Sequence, residues 1–250
     1  MNTLIESVKA NSLFVLEFLG IVVIIFLIAY VFEKYAAKHI NESLNSGSDG
    51  NKNRSGRILT TKKIVVVGMF SAIATVLFLF DFPVGFAPAF YKLDFSELPA
   101  LITAFAYGPV AGVMVEFVKI LLKILIKGTD SAFVGELANF VIGSAFILPA
   151  SIIYSFKKTK KMAVVSCVVG TLMITIAGTV FNAVYLLPAF SKLYGMPLDA
   201  IIGMGTAIFS AVDNVWSFVF MCVAPLNLLK GVVISVITIL VYKKLSKYMK

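Results

Sequence analysis

Charged residues are scarce in this chain: Asp, Glu, Lys and Arg make up 14% of its 250 residues, whereas 60% are hydrophobic. One soluble core of this length cannot bury so much apolar side chain, so the composition excludes a soluble domain and indicates the lipid bilayer as solvent. In hydrocarbon every backbone polar group needs an internal partner, which restricts the spans to helices or a closed barrel. The apolar runs at 64–80 and 163–187 do not alternate, so helices are predicted.

Histidine and cysteine are also rare, with one His and two Cys. An intramembrane enzyme would need a nucleophile with its base, a metal-binding set or a pair of carboxylates. His39 lies in a basic region, while Cys167 and Cys222 lie far apart in apolar surroundings and match no metal or redox spacing. The sequence also lacks a phosphate-binding loop of the form Gly-x-x-x-x-Gly-Lys-Ser/Thr. We therefore expect no enzyme activity, no metal site and no ATP hydrolysis by this chain.

Basic residues outnumber acidic ones and give a formal net charge of +9. In a membrane protein the side on which Lys and Arg lie matters more than their sum. If successive apolar segments cross the membrane, most basic residues fall on one face: Lys34, Lys38, Lys52, Arg54, Arg57, Lys62, Lys63, Lys157, Lys158, Lys160, Lys161, Lys243, Lys244, Lys247 and Lys250. The positive-inside rule makes that face cytoplasmic, with the C-terminus inside and the N-terminus outside. Topology and attraction to anionic lipid account for the excess, so no nucleic-acid partner is expected.

Seven apolar segments predict an all-α integral membrane protein. We assign residues 1–33 to an extra N-terminal transmembrane helix, 34–60 to a basic flexible cytoplasmic linker and 61–250 to a six-helix core. The first helix is expected to be retained, because its flanks do not match a signal peptide. The core segments are predicted at 64–80, 98–107, 110–126, 133–156, 163–187 and 225–242, with a long outer segment at 188–223.

Ionisable side chains within apolar segments are functional candidates, because charge at membrane depth is costly. Glu116 and Lys119 lie three residues apart on one helical face, with Lys123 one turn further along. They are predicted either to pair and pin two helices or to contact a ligand. Glu136 and Asn139 share a face of the next helix, where a buried hydrogen-bonding pair is favoured.

Three further polar residues lie in the last two core segments. Asn227 and Lys230 are three residues apart at the predicted outer end of the last helix. An amide and a cationic donor together suit the imide edge of a planar heterocycle. Asn182 stands alone in its apolar segment, where asparagine usually joins helices. On the first core helix, Gly68 and Ala72 form a small-residue face that another helix can approach closely.

Four stretches taken together resemble a known family, the riboflavin-specific S components of energy-coupling-factor (ECF) transporters. They are Tyr-Lys-Leu-Asp-Phe-Ser-Glu-Leu-Pro-Ala-Leu from Tyr91, Gly-Pro-Val-Ala-Gly from Gly108, Gly-Glu-Leu-Ala-Asn-Phe from Gly135 and Pro-Leu-Asn-Leu-Leu-Lys-Gly from Pro225. The resemblance implies a six-helix membrane protein that binds riboflavin near its outer face. The N-terminal helix and its linker depart from the family pattern and have no assigned role.

The resemblance also implies the site residues. In that family the flavin is held by an asparagine on the fifth core helix and by an Asn-x-x-Lys set on the sixth. These residues correspond to Asn182, Asn227 and Lys230. The first outer loop covers the site, which adds four candidates: Tyr91, Leu93, Asp94 and Phe95. Glu116 and Lys119 remain further substrate-binding candidates on the ion-pair argument alone.

The partners implied are a membrane T component, contacted at Gly68 and Ala72, and two cytoplasmic ATPases. ATP is used by those partners, and riboflavin is a transported ligand rather than a cofactor. The implied location is the cell membrane, with several spans. An S component for another vitamin or related heterocycle would keep this fold and differ only in its pocket. A purely structural membrane protein is disfavoured, because its polar residues would then carry a desolvation cost without a ligand.

Overall fold

The computed structural model describes residues 12–45, 60–129 and 131–245. These residues form ten α-helices: α1 (Ser12–Asn45), α2 (Thr61–Leu79), α3 (Glu97–Tyr107), α4 (Pro109–Lys127), α5 (Val134–Phe156), α6 (Lys160–Phe181), α7 (Leu187–Tyr194), α8 (Leu198–Thr206), α9 (Val215–Phe218) and α10 (Ala224–Leu245). Two short antiparallel strands, β1 (Phe82–Pro83) and β2 (Lys92–Leu93), pair within the loop between α2 and α3. Each of the seven predicted apolar segments is helical.

Five helical stretches are long and apolar enough to cross a membrane: Phe14–His39, Thr61–Leu79, Val134–Phe156, Lys160–Tyr194 and Val215–Val241. Helix α3 has only 11 residues, too few to span the hydrocarbon at 1.5 Å per residue. Helix α4 carries charged residues along its length. The prediction of an all-α membrane protein is confirmed.

The first helix is longer than predicted. It continues through residues 34–45, which the sequence had assigned to a flexible linker. The Glu-Lys-Tyr-Ala-Ala-Lys stretch from Glu33 contains strong helix formers, and Ala36 is buried. In this stretch helical propensity and packing therefore outweigh the basic, polar composition that had indicated a flexible linker. The rest of the predicted linker, up to residue 59, lies outside the described residues.

The predicted outer segment at 188–223 was too long. Helix α6 continues through a π-helical turn, Asn182–Leu186, into α7, and α9 continues through a second π-helical turn, Val219–Val223, into α10. A proline follows closely after each turn, namely Pro188 and Pro225. Proline lacks the N–H of the i→i−4 bond, and a π turn accommodates that loss without ending the helix.

The core lies where α3, α4, α5, α6 and α10 meet. Phe105 and Tyr154 stack within it at a centroid distance of 4.4 Å. Helices α3 and α4 turn sharply at Gly108, whose φ of 100° suits glycine. Cys167 and Cys222 are free and buried. The arrangement leaves the loop between α2 and α3, which is the predicted outer loop, and the neighbouring ends of the core helices around a common space.

Candidate functional site

A cavity of about 540 Å³ lies between the predicted outer loop and the neighbouring ends of the helices. Its lining includes polar residues from five parts of the chain: Tyr91, Asp94, Glu97, Lys123, Glu136, Asn139, Asn182, Asn227 and Lys230. Apolar and aromatic side chains complete the wall, among them Phe78, Phe90, Ile142, Leu186, Phe190 and Met204. Ligand cavities of this size are typically apolar with a few placed polar groups. The cavity is therefore the candidate binding site.

Asn182 and Tyr91 join the outer loop to the wall of the cavity. The Tyr91 hydroxyl donates to Asn182 Oδ1 at 2.7 Å, and Asn182 Nδ2 donates to the Gly178 carbonyl at 2.7 Å. Burial raises the pKa of Tyr91, so its phenol keeps the proton that it donates. Asn182 begins the π-helical turn. This geometry fixes the orientation of the Asn182 amide at the cavity surface.

Asn227 lies on α10 and lines the same cavity as Asn182. Its Nδ2 donates to the Val223 carbonyl at 3.2 Å, while no described residue donates a hydrogen bond to its Oδ1. A Cβ atom at Gly178 would lie 2.5 Å from Asn227 Nδ2, so only glycine at that position lets the amide approach α6 this closely. An amide with spare hydrogen-bonding capacity at a cavity wall is suited to a ligand.

Lys230 is held by two carboxylates. Its Nζ lies 3.0 Å from Asp94 Oδ2 and 2.8 Å from Glu97 Oε1. Burial by itself would raise the pKa of Asp94, but Lys230 and Lys119 outweigh it and keep that pKa below its usual value. Asp94 is therefore a carboxylate, and its ion pair with Lys230 fastens the outer loop to α10.

Glu116 and Lys119 belong to the same network of buried charges as Lys230. They form the predicted ion pair at 2.6 Å, and Lys119 Nζ also donates to Ser96 Oγ at 2.7 Å. Both side chains are fully buried and neither lines the cavity. Glu97 Oε1 also lies 3.4 Å from Lys119 Nζ and so connects this pair to Lys230. Lys119 thus connects α4 to Ser96 and Glu97 at the start of α3.

The other candidate residues either line the cavity or pack outside its lining. Leu93 is buried in β2, and Phe95 packs on the core and on Phe82. Neither lines the cavity, although Tyr91 and Asp94 of the same loop do. Gly68 and Ala72 lie away from the cavity on the exposed surface of α2.

A second polar group lines the cavity on α4 and α5. Glu136 Oε1 lies 2.5 Å from Lys123 Nζ, and Glu136 Oε2 accepts from Thr129 and Ser131. The predicted Glu136–Asn139 pair does not form, because Asn139 Nδ2 donates to the Gly135 carbonyl instead. Helical spacing alone did not reveal that Lys123, on the neighbouring helix, competes for Glu136. Glu97 was also missed as a site residue, although it belongs to the stretch from Tyr91.

The cavity thus combines flat aromatic and apolar walls with two polar groups. An aromatic surface favours a planar ring, while the amides and the lysine match carbonyl and N–H groups at the ring edge. Within the described residues, no cluster of His, Cys, Asp and Glu is arranged to hold a metal ion. The arrangement supports binding of a planar polar heterocycle.

Known proteins resemble this chain over most of its length. Residues 62–242 match the family described as ECF transporter, substrate-specific component. The riboflavin transporter FmnP of Bacillus subtilis is 35% identical over 193 residues, which are 77% of this chain and 96% of that protein. The riboflavin transporter RibU of Staphylococcus aureus is 36% identical over 203 residues, which are 80% and 98% of the two chains. A solved structure of the S component of a bacterial ECF transporter superposes with a TM-score of 0.59 at 36% identity and covers 76% of this chain and 98% of its own.

Proposed function

Since the chain belongs to the family of substrate-specific components of ECF transporters, we propose that it captures riboflavin in the outer cavity for uptake into the cell. Proteins of this family are transporter components and not enzymes, and they associate with ECF T and ATPase modules. The protein lies in a membrane, which it crosses several times. Riboflavin is its cargo and not a cofactor.

The observation that carries the proposal is the meeting of Asn182, Asn227 and Lys230 at one cavity of about 540 Å³. Riboflavin presents a flat apolar ring system with an imide edge that carries two carbonyls and an N–H. Asn227 offers a donor and an acceptor to that edge, and Lys230 offers donors. The names of the similar proteins, which are riboflavin transporters, favour riboflavin over another heterocycle.

The sugar-like chain of riboflavin has a place in the same cavity. Its hydroxyl groups both donate and accept hydrogen bonds, so they suit a wall with carboxylate, amide and ammonium groups. Glu136, Lys123 and Asn139 supply such a wall on α4 and α5. They lie on α4 and α5, whereas Asn227 and Lys230 lie on α10, so each polar part of the ligand has a polar group on different helices to contact.

We assign the T-component contact to the face of α2 that carries Gly68 and Ala72. Both residues are exposed, and no heavy atom outside the helix backbone lies within 4 Å of the Cβ position at Gly68. Small residues let two membrane helices approach closely, and the resulting packing drives association in lipid. We place this face in contact with the T component and the C-terminus in the cytoplasm, where the ATPases bind.

Purification of the full chain in detergent, followed by titration with riboflavin, tests the proposal. We expect quenching of flavin fluorescence that saturates at one riboflavin per chain, with no ATP hydrolysis by the chain alone. Biotin and thiamine serve as matched ligand controls and should leave the site free for riboflavin. Absence of riboflavin binding, or tighter binding of one of the controls, would contradict the assignment.

A further inference from the structure

Helix α1 lies outside the part of the chain that matches the family, yet it packs on the core. Phe18 contacts Phe140 of α5 edge-to-face at 6.3 Å, and Phe26 contacts Phe117 of α4 in the same way at 5.9 Å. Ala29 is fully buried in this interface. The helix is therefore part of the folded unit.

A carboxylate anchors the C-terminal half of α1. Glu33 Oε1 lies 2.9 Å from Lys63 Nζ at the start of α2, and Glu33 Oε2 accepts from the Val110 backbone N–H at 2.9 Å. Val110 belongs to the first turn of α4, whose N–H groups lack intrahelical partners. Glu33 thus caps another helix and holds α1 against α2 and α4, far from the cavity.

A second carboxylate anchors the outer end. Glu17 is the only charged residue between residues 12 and 32, and it accepts from the Tyr185 hydroxyl at 2.9 Å. A charge in an apolar span is costly and therefore calls for a functional reason. The contact joins α1 to the π-helical turn that begins with Asn182.

Backbone hydrogen bonds within the helix support this π-helical turn only weakly. Its closing bond runs from the Leu187 N–H to the Asn182 carbonyl, and Pro188 has no N–H to give to the residue four positions before it. Hydrogen bonds from outside the helix therefore matter more here than in a regular α-helix. Tyr91 supplies one to Asn182 on the cavity side. Tyr185 makes the other with Glu17 on the side of α1.

We propose that α1 positions the ligand site through the Glu17–Tyr185 hydrogen bond, an inference that rests on the proposed riboflavin function. Glu17 and Tyr185 are positioning residues, since neither lines the cavity. They hold the π-helical turn in the conformation that presents the Asn182 amide to the ligand. A turn that is already ordered loses less conformational freedom when the ligand binds, so affinity rises.

The test measures riboflavin affinity in full-length variants. Glu17→Leu and Tyr185→Phe should each weaken binding about fivefold, the effect of one net hydrogen bond. The double variant should be no weaker than either single variant, because both remove the same bond. Glu17→Gln keeps an acceptor and should bind more tightly than Glu17→Leu.

Glu33→Leu is the matched control, because it removes the other anchor of the same helix. It should lower the thermal stability in detergent and leave riboflavin affinity unchanged. Affinity within about twofold of the wild type in both Glu17→Leu and Tyr185→Phe would overturn the proposal. Equal weakening by Glu33→Leu, or by Glu17→Gln and Glu17→Leu alike, would overturn it too. If the unsubstituted chain fails to bind riboflavin, the proposed function itself is refuted.

Discussion

Buried charged residues beside the cavity form one connected network. The three carboxylates Asp94, Glu97 and Glu116 surround the ammonium groups of Lys119 and Lys230. Removing one partner from such a buried set leaves a charge with fewer counterions, which lowers the stability of the fold. The set therefore holds Lys230 in place before a ligand arrives, and a preorganised donor raises affinity.

Gly178 provides a test at this scale, because it lies between the two asparagines. In Gly178→Ala the new Cβ would lie 2.5 Å from Asn227 Nδ2 and displace the amide. We expect riboflavin binding about tenfold weaker, measured by fluorescence titration. Gly170→Ala is the control on the same helix, where a Cβ would meet the Phe146 ring at 2.8 Å. It should lower stability without changing affinity, and equal affinities in the two variants would contradict the proposed role of Asn227.

Only part of the residue-scale geometry was predictable from the sequence. The i, i+3 spacing correctly predicted that Glu116 and Lys119 pair, because helical geometry alone decides it. Sequence spacing does not reveal contacts between residues that are far apart in the chain, so the contact of the Glu97 carboxylate with Lys230 was missed. Whether a cavity reaches an ion pair likewise depends on how the helices pack.

At the scale of elements, two π-helical turns shape the cavity wall. Asn182 opens the first turn, and the Val223 carbonyl, which accepts from Asn227, closes the second. The sequence predicted helix ends near Pro188 and Pro225, because proline commonly stops a helix. Both helices continue instead, since a π turn absorbs the missing bond. Element type was therefore predictable from composition, whereas these boundaries were not.

Helix α2 offers a separate test of the proposed partner contact. Gly68→Leu adds bulk to an exposed position, where a Cβ has no described atom outside the helix backbone within 4 Å. We expect riboflavin uptake by cells to be lost while binding by the purified chain stays normal, because the close approach to the T component is blocked. Gly68→Ala, which keeps the residue small, should retain uptake. Loss of binding together with uptake would instead assign Gly68 to packing within this chain.

At the scale of the whole molecule, the placement of charge is the basis of the orientation that we propose. The exposed basic turn between α5 and α6 is proposed to face the cytoplasm, and the cavity to face outward. Composition alone predicted the membrane fold, because no soluble core accommodates so much apolar side chain. The cavity was not predictable from composition, since it exists only where several distant parts of the chain converge.

Cysteine labelling in intact cells checks this orientation. Lys157→Cys and Lys192→Cys place a thiol at exposed positions at opposite ends of the helical bundle, while the native Cys167 and Cys222 are buried. A membrane-impermeant thiol reagent should label Lys192→Cys and leave Lys157→Cys unlabelled until the cells are broken. The reverse pattern would invert the topology.

The most direct test of the central claim is riboflavin titration of Asn227→Ala and Lys230→Ala. Loss of one partner from a desolvated polar contact costs about 1–3 kcal/mol, and about 1.4 kcal/mol is one decade in affinity. We predict that each variant remains folded and binds riboflavin at least about tenfold more weakly than the wild type. Lys123→Ala, in the second polar group, should weaken binding less. Near-normal affinity in both the Asn227 and the Lys230 variant would contradict the assignment of the site.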